Sequence, residues 1–262
     1  MTDAIFRREG DLLVPSGHAR GPWDPGAQHG GAPAALVADA VDRLARADGM
    51  AVARLTFEFL GPVALAPLVV AARIVKPGRR LRLAEAEVVI DGRAVVRARA
   101  VLLRRGRVSL PAGTTRDEPP PGGPPELATA SAFPAGGEAE GFHRTGMELR
   151  FAGGTDYGPG PALAWFRFAR PLVEGEEPSR VARAAAAADF GNGVSRILDF
   201  ERHLFVNTDL SIHLHREPRG EWVLLDARTR IEPTGIGLAV SHLHDEDGAL
   251  GIAAQSLFVE DR

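Results

Sequence analysis

The sequence of 262 residues predicts an α+β chain built twice from one unit, a curved antiparallel sheet wrapped around a helix. Three observations carry this. Alternating strand-like stretches recur in two sets of four, with matching turn signals between them. One helical stretch precedes each set, and a Pro/Gly-rich segment separates the two. With 45% hydrophobic and 25% charged residues, the composition is that of an ordinary globular protein, and the length suits one large domain or two small ones.

The first helix spans 31–48, "GAPAALVADAVDRLARAD", where Leu36, Val37, Ala40, Val41 and Leu44 recur at helical spacing and Pro33 suits a first turn. The first set of strands follows as "RLTFEFLGPV" (54–63), "LVVAARIVK" (68–76), "LRLAEAEVVI" (81–90) and "RAVVRARAVLLRR" (93–105). Asp91-Gly92 between the last two is a type I′ hairpin signal, because both central residues of that turn need positive φ. The segment 106–141 is too dense in Pro and Gly for helix or ladder and reads as a linker. A second helix spans 178–189, "PSRVARAAAAAD"; its alanines are strong helix formers small enough for close contact on several sides. The second set runs 208–218, 221–232, 237–246 and 249–261, with Asp247-Gly248 as its last turn.

Leu55 precedes Pro77 by 22 residues and Gly92 by 37, and Leu210 precedes Pro233 by 23 and Gly248 by 38. The repeat is therefore about 155 residues. Strand, helix and a four-stranded meander, twice over, describe a double hotdog: an N-terminal repeat at 1–105, the linker at 106–141 and a C-terminal repeat at 142–262.

Several function classes are excluded by composition. A net charge of −3 with scattered arginines gives no basic stripe for nucleic acid. No cysteine is present, so a thiol nucleophile, a disulfide and any Cys-ligated metal site are ruled out. The start lacks the apolar core of a signal peptide and no apolar run reaches the roughly 18 residues of a membrane span, so a cytoplasmic protein without membrane insertion is expected.

"AADFGNG" (187–193) leaves a carboxylate at the end of the second helix, where the negative end of the helix dipole disfavours it. Asp189 could start an Asx turn toward Gly191, or it could be a catalytic carboxylate. Stretches before the first helix ("GPWDPGAQHGGAPAALVADAV"), in the first meander ("LTFEFLGPV", "KPGRR") and through the second half ("ADFGNG", "NTDLSIHLHR", "EWVLLDAR", "DGALGIAAQSLFV") together resemble the TesB-like acyl-CoA thioesterases, thioesterase II type. The resemblance implies hydrolysis of fatty acyl-CoA with no cofactor and no metal. It also implies a helix-end Asp, a strand-start hydroxyl and a C-terminal Gln that hold the attacking water. Asp189 and Gln255 match the first and last; the middle position falls on Asn207, a departure from the hydroxyl, with Thr208 beside it on the opposite strand face. Subtracting the repeat offset places Asp189 near Pro33 or Ala34, Asn207 near Ala51 or Val52 and Gln255 near Arg99 or Ala100, none of them an equivalent polar set, so only one site per chain is expected.

A thioester carbonyl needs an oriented water, a base and oxyanion donors rather than a covalent nucleophile. The start of the first helix, with His29, Gly30 and Gly31, offers such donors and is the expected oxyanion and substrate-binding element. Arg79 and Arg80, with Arg82, are candidates for the CoA phosphates. The His213/His215 and His242/His244 pairs read as a solvated sheet face, and Trp23, Phe57, Phe59, Trp165 and Phe168 as core or acyl-tunnel lining. Two other functions compete. A non-catalytic acyl-CoA-binding hotdog protein is compatible with the fold, whereas a MaoC-like enoyl-CoA hydratase lacks its "GDxNPxH"-type stretch here. The outer sheet surfaces suggest a homodimer.

Overall fold

The structure, a computed structural model, describes residues 3–114, 119–130, 140–154 and 158–262. Parts of the linker, 115–118 and 131–139, lie outside these. The first half opens with a hairpin, β1 (Phe6–Glu9) and β2 (Leu12–Pro15), followed by helix α1 (Gly31–Ala47). Its meander is β3 (Met50–Phe59), β4 (Val69–Lys76), β5 (Leu81–Ile90) and β6 (Arg93–Arg104). After the linker come β7 (Thr129–Ala130), β8 (Met147–Gly153), β9 (Ala162–Phe168), α2 (Arg180–Ala188) and the single turn α3 (Gly191–Val194). The second meander is β10 (His203–Asn207) with β11 (Asp209–Leu214), then β12 (Val223–Glu232), β13 (Ile236–Asp245) and β14 (Gly248–Asp261).

Among the described residues, twelve strands form one sheet in the order β4-β5-β6-β3-β11-β14-β13-β12-β9-β8-β7, with β10 beside β14. The two meanders are thus mirror-ordered about the β3–β11 seam, where Thr56 lies opposite Ser211 in an antiparallel register. Those two residues are one repeat apart, so the seam is a local pseudo-twofold axis. Each meander covers its own helix. Ala32, Ala34, Ala35, Val37 and Ala38 of α1 are fully enclosed, as are Ala182 and Ala184 to Ala188 of α2. The small side chains let the helices approach each other and the sheet closely. This is the expected double hotdog, with the two curved sheets fused edge to edge rather than separate.

Local differences from the sequence expectation have physical causes. The second half carries the full hairpin β8–β9 on the sheet, whereas β1–β2 forms its own two-stranded sheet and reaches β4 only through reciprocal bonds between Leu13 and Leu68 (2.8 and 2.9 Å). The linker contains the two-residue strand β7 and a 3₁₀ turn at Pro125–Leu127, so its composition limits regular structure without forbidding it. Asp91 (φ 49°) and Gly92 (φ 73°) form the expected type I′ turn, but at the second hairpin only Gly248 has positive φ (106°). Both hairpins close two-residue loops, 91–92 between Ile90 and Arg93 and 246–247 between Asp245 and Gly248, so in the second the Asp-Gly pair sits one residue later relative to the loop, and each hairpin carries a register shift next to its turn.

Replacing Gly92 by Ala should cost on the order of 1 kcal/mol in chemical denaturation, because a Cβ is disfavoured at positive φ even in open space. Gly61→Ala, equally open and at ordinary φ, should be close to neutral.

Candidate active site

The alanine-rich helix α2 breaks at Asp189 without reversing. Asp189 (φ −69°, ψ −14°) and Phe190 (φ −79°, ψ −6°) stay in the right-handed region, and the chain runs on into α3. Neither Gly191 nor Gly193 needs positive φ. Gly191 is required by space: a Cβ there would lie 2.9 Å from Ser241 Oγ and 3.0 Å from Gln255 Oε1.

The carboxylate of Asp189 is only 3% exposed. Its Oδ1 accepts from Asn207 Nδ2 (2.8 Å) and from Gln255 Nε2 (3.4 Å), and its Oδ2 lies 2.9 Å from His29 Nδ1. None of the amides of 190–193 bonds to the carboxylate, so it is not an Asx turn. The unfavourable dipole of α2 is offset across the helix interface, because the N-terminus of α1 meets Asp189 directly. A Cβ on Gly30 would lie 2.9 Å from Oδ2 and 3.1 Å from Oδ1, so only glycine lets the positive end of α1 come this near.

Each amide has a defined job. Gln255, 2% exposed, accepts the Asn192 N–H at Oε1 (3.1 Å), and its Nε2 also reaches the Asp189 carbonyl (3.2 Å). It therefore pins the α2–α3 break as well as the carboxylate. Asn207 faces inward from the end of β10. The strand register slips by one residue between Asn207 opposite Leu257 and Ser211 opposite Ala254, and Thr208 falls in that slip with its side chain exposed. Both amides donate to Asp189 itself, so the three side chains expected to share one site meet directly.

His29, Gly30 and Gly31 join the cluster. The His29 ring stacks on Phe190 (4.4 Å between centroids), packs against Phe142 (5.2 Å) and has His143 at 6.4 Å. Phe142 and His143 come from a π-helical turn, Phe142–Gly146, directly after the linker. With Asn192, they are the site residues that sequence reasoning missed. Asn192 and Phe190 sat unremarked inside the quoted "ADFGNG", whereas nothing in "GFHRTG" marked His143. Burial pushes the His143 imidazole down to about 3 from 6.5, with further contributions from His29 and Arg144, so it is neutral over the physiological range.

Arg79 and Arg80 do not join the cluster. Their turn follows β4, and the register across β5 and β6 sets it beyond the Met50 end of β3, while the site adjoins the Phe59 end. Eight residues of strand, about 26 Å, separate the two levels. Both arginines are exposed hairpin residues. Arg82 turns inward to bond Gly78 and pair with Asp48. His213, His215 and His242 are exposed as expected, but His244 is partly buried and its imidazole is pushed down by that burial. Among the described residues no group of His, Asp or Glu is placed to hold a metal ion. Phe57 is core and Phe59 borders Gly30. Trp165 belongs elsewhere, to a second cluster with Trp222 and Leu224, where its Nε1 donates to the Gly123 carbonyl of the linker (3.2 Å).

Two family models match the chain: the acyl-CoA thioesterase N-terminal domain over residues 19–103 and the acyl-CoA thioesterase C-terminal domain over residues 117–259. No curated protein matches. Among solved structures, the chain is similar to a protein provisionally described as a thioesterase from Novosphingobium aromaticivorans (TM-score 0.72, 23% identity, 97% of this chain and 98% of that one). It is also similar to a protein of unknown function with a hot dog fold from Alicyclobacillus acidocaldarius (0.67, 19%, 99% and 97%) and to the acyl-CoA thioesterase II TesB2 of Mycobacterium marinum (0.61, 16%, 98% and 94%). At these identities the structural likeness shows the fold.

The state of His143 makes an acid-stability prediction. Its native value lies below the ordinary 6.5, so between pH 6.5 and about 3 the unfolded chain binds a proton that the native chain does not. Native stability should therefore fall as pH falls through that window. In His143→Gln the loss of stability between pH 7 and pH 4.5 should shrink by roughly 2–3 kcal/mol, read from denaturant midpoints at each pH.

Proposed function

The chain belongs to the acyl-CoA thioesterase family and is a thioester hydrolase, and from that premise we propose that it cleaves fatty acyl-CoA by direct attack of a water activated by Asp189. The site is one per chain and forms where the repeats 1–105 and 142–262, joined by the 106–141 linker, bring α1 and α2 together. The observation that carries this is the occupancy of the carboxylate. Asp189 offers about four lone-pair positions. Asn207 and Gln255 take both on Oδ1 and His29 takes one on Oδ2, which leaves a single place for a water.

From that place, Oδ2 takes one proton as the water oxygen bonds to the thioester carbonyl carbon and the carbonyl electron pair moves onto oxygen. The α1 N-terminus, with Gly30 and Gly31, is suited to stabilise that oxyanion through backbone N–H groups and the positive dipole end. When the tetrahedral adduct collapses, the C–S bond breaks and the sulfur leaves with the proton returned by Asp189. The products are the free acid and the CoA thiol, and Asp189 is again a carboxylate. Acyl-CoA and water suffice, with no metal or cofactor. Val52 and Ala100, which are buried and apolar, occupy the repeat-related positions of Asn207 and Gln255, in keeping with a single site.

The same proposal includes a cytoplasmic homodimer. Ile236, Leu238, Ile252 and Phe258 are exposed on the outer face of the second meander, a surface that a second copy could cover.

Asp189→Asn should retain the fold and acyl-CoA binding but lower kcat by about 10²-fold or more, the scale of removing a general base. Thiol release from a panel of acyl-CoA chain lengths is the measurement. Hydrolysis at the parent rate would remove Asp189 from the chemistry.

A further inference from the structure

The His29 ring nitrogen that meets Asp189 has two claimants. Nδ1 lies 2.9 Å from Asp189 Oδ2 and is also the acceptor of the Gly31 N–H at 3.1 Å. An imidazole nitrogen has one in-plane position, which holds either a proton to donate or a lone pair to accept with. A carboxylate oxygen at 2.9 Å requires a proton between the two atoms. Whichever of them owns it, the position is used, and the Gly31 N–H loses its acceptor there. Conversely, if Nδ1 accepts from Gly31, its bond to Asp189 is broken. The two bonds are alternatives.

We propose that His29 is a positioning residue whose Nδ1–H holds Asp189 in place and, in the same arrangement, releases the Gly31 N–H to act as an oxyanion donor. The proposal rests on the water-attack reading above and adds a coupling to it. One proton sets both halves of the machinery, because the arrangement that orients the base also uncaps the first turn of α1. Three features of the site favour the Nδ1-protonated form. Asp189 is almost fully enclosed, so an ionised carboxylate there needs every available donor. The ring is fixed by its stack on Phe190 and its contact with Phe142, which keeps Nδ1 between the two claimants. The neighbouring imidazole, His143, faces the His29 ring in a stacked arrangement rather than edge-on, so it does not meet Nδ1 in the ring plane. His143 is held neutral by burial and stands 6.4 Å from the His29 ring between centroids, the planes 29° apart. Gly30 has no side chain, and a Cβ on Gly31 would lie 2.9 Å from the Ala186 carbonyl and 2.9 Å from the Phe142 ring, so no side chain can be introduced at the released amide without displacing the surroundings.

The proton can be located without turnover. Long-range ¹H–¹⁵N correlation spectra of the full chain report which histidine nitrogen is protonated, with His29 assigned by its loss in His29→Asn. We expect Nδ1 to carry the proton in the parent protein at the pH of activity. In Asp189→Ala, where the carboxylate is gone, Nδ1 should accept from Gly31 and the proton should move to Nε2. An unprotonated Nδ1 in the parent protein would overturn the proposal. Kinetics provide a second readout. His29→Phe keeps an aromatic ring packed on Phe142 and Phe190 but has no donor, and kcat should fall about tenfold or more with KM within about twofold. His29→Asn places an amide donor near Nδ1 and should recover part of that kcat. If instead the Phe variant turns over as well as the Asn variant or better, His29 only packs, and the proposal fails. A parent enzyme that releases CoA without the Asp189 dependence predicted above would defeat the water-attack reading while leaving the proton location unaffected, so the two failures are distinguishable.

Discussion

The antiparallel pairing of β3 with β11 is the constraint on which the rest of the molecule depends. It fuses two four-stranded meanders into one sheet and places Thr56 opposite Ser211, so that the repeats face each other about a local twofold. Once that seam is set, α1 and α2 lie side by side beneath it, and their opposite ends meet. Alanine on both contact surfaces allows the approach. A larger residue at Ala185 or Ala186, both fully enclosed, would have to displace backbone as well as side chains. The two-repeat architecture is therefore also the device that brings a helix start from one half against a helix break in the other.

At that meeting point electrostatics resolves what looks like a fault in the sequence. A carboxylate at a helix C-terminus is disfavoured by a few tenths of a kcal/mol to about 1 kcal/mol when exposed, and its burial costs more. Here it is surrounded by Asn207, Gln255 and His29 and faces the N-terminus of α1. These partners come from α2's own half and from the other half alike, so neither repeat could hold the anion alone. The repeat-related positions are filled by Ala34, Val52 and Ala100, all buried. An anion placed there would have no donors, which explains why duplication of the fold has not duplicated the cluster.

Most of the fold was legible because its signals are local. The Asp91-Gly92 turn follows from residue type alone, and strand alternation correctly separated Asn207, which faces inward, from Thr208, which faces out. Asp189 stood out because the negative end of the helix dipole disfavours a carboxylate there. What the sequence hid depends on long-range geometry. The continuation of the chain through Phe190 into α3 depends on Gln255, more than sixty residues later, bonding the Asn192 amide. His143 has no periodic pattern around it, and only the fold brings it to His29. Residue type suited the arginines of the first hairpin to phosphate but could not express how far they lie from Asp189, since strand register fixes that turn at the other end of β3. His244 was misjudged for a similar reason, since alternation identifies its face but not how much surface the neighbouring elements cover.

The central claim is that Asp189 activates water rather than attacking the thioester itself. A single turnover in H₂¹⁸O, followed by mass spectrometry of the product acid and of the peptide containing Asp189, tests this most directly. Direct water attack places one ¹⁸O in the free acid and none in Asp189. Appearance of ¹⁸O in the Asp189 carboxylate would mean that an acyl anhydride had formed and been hydrolysed at the protein, and would contradict the account.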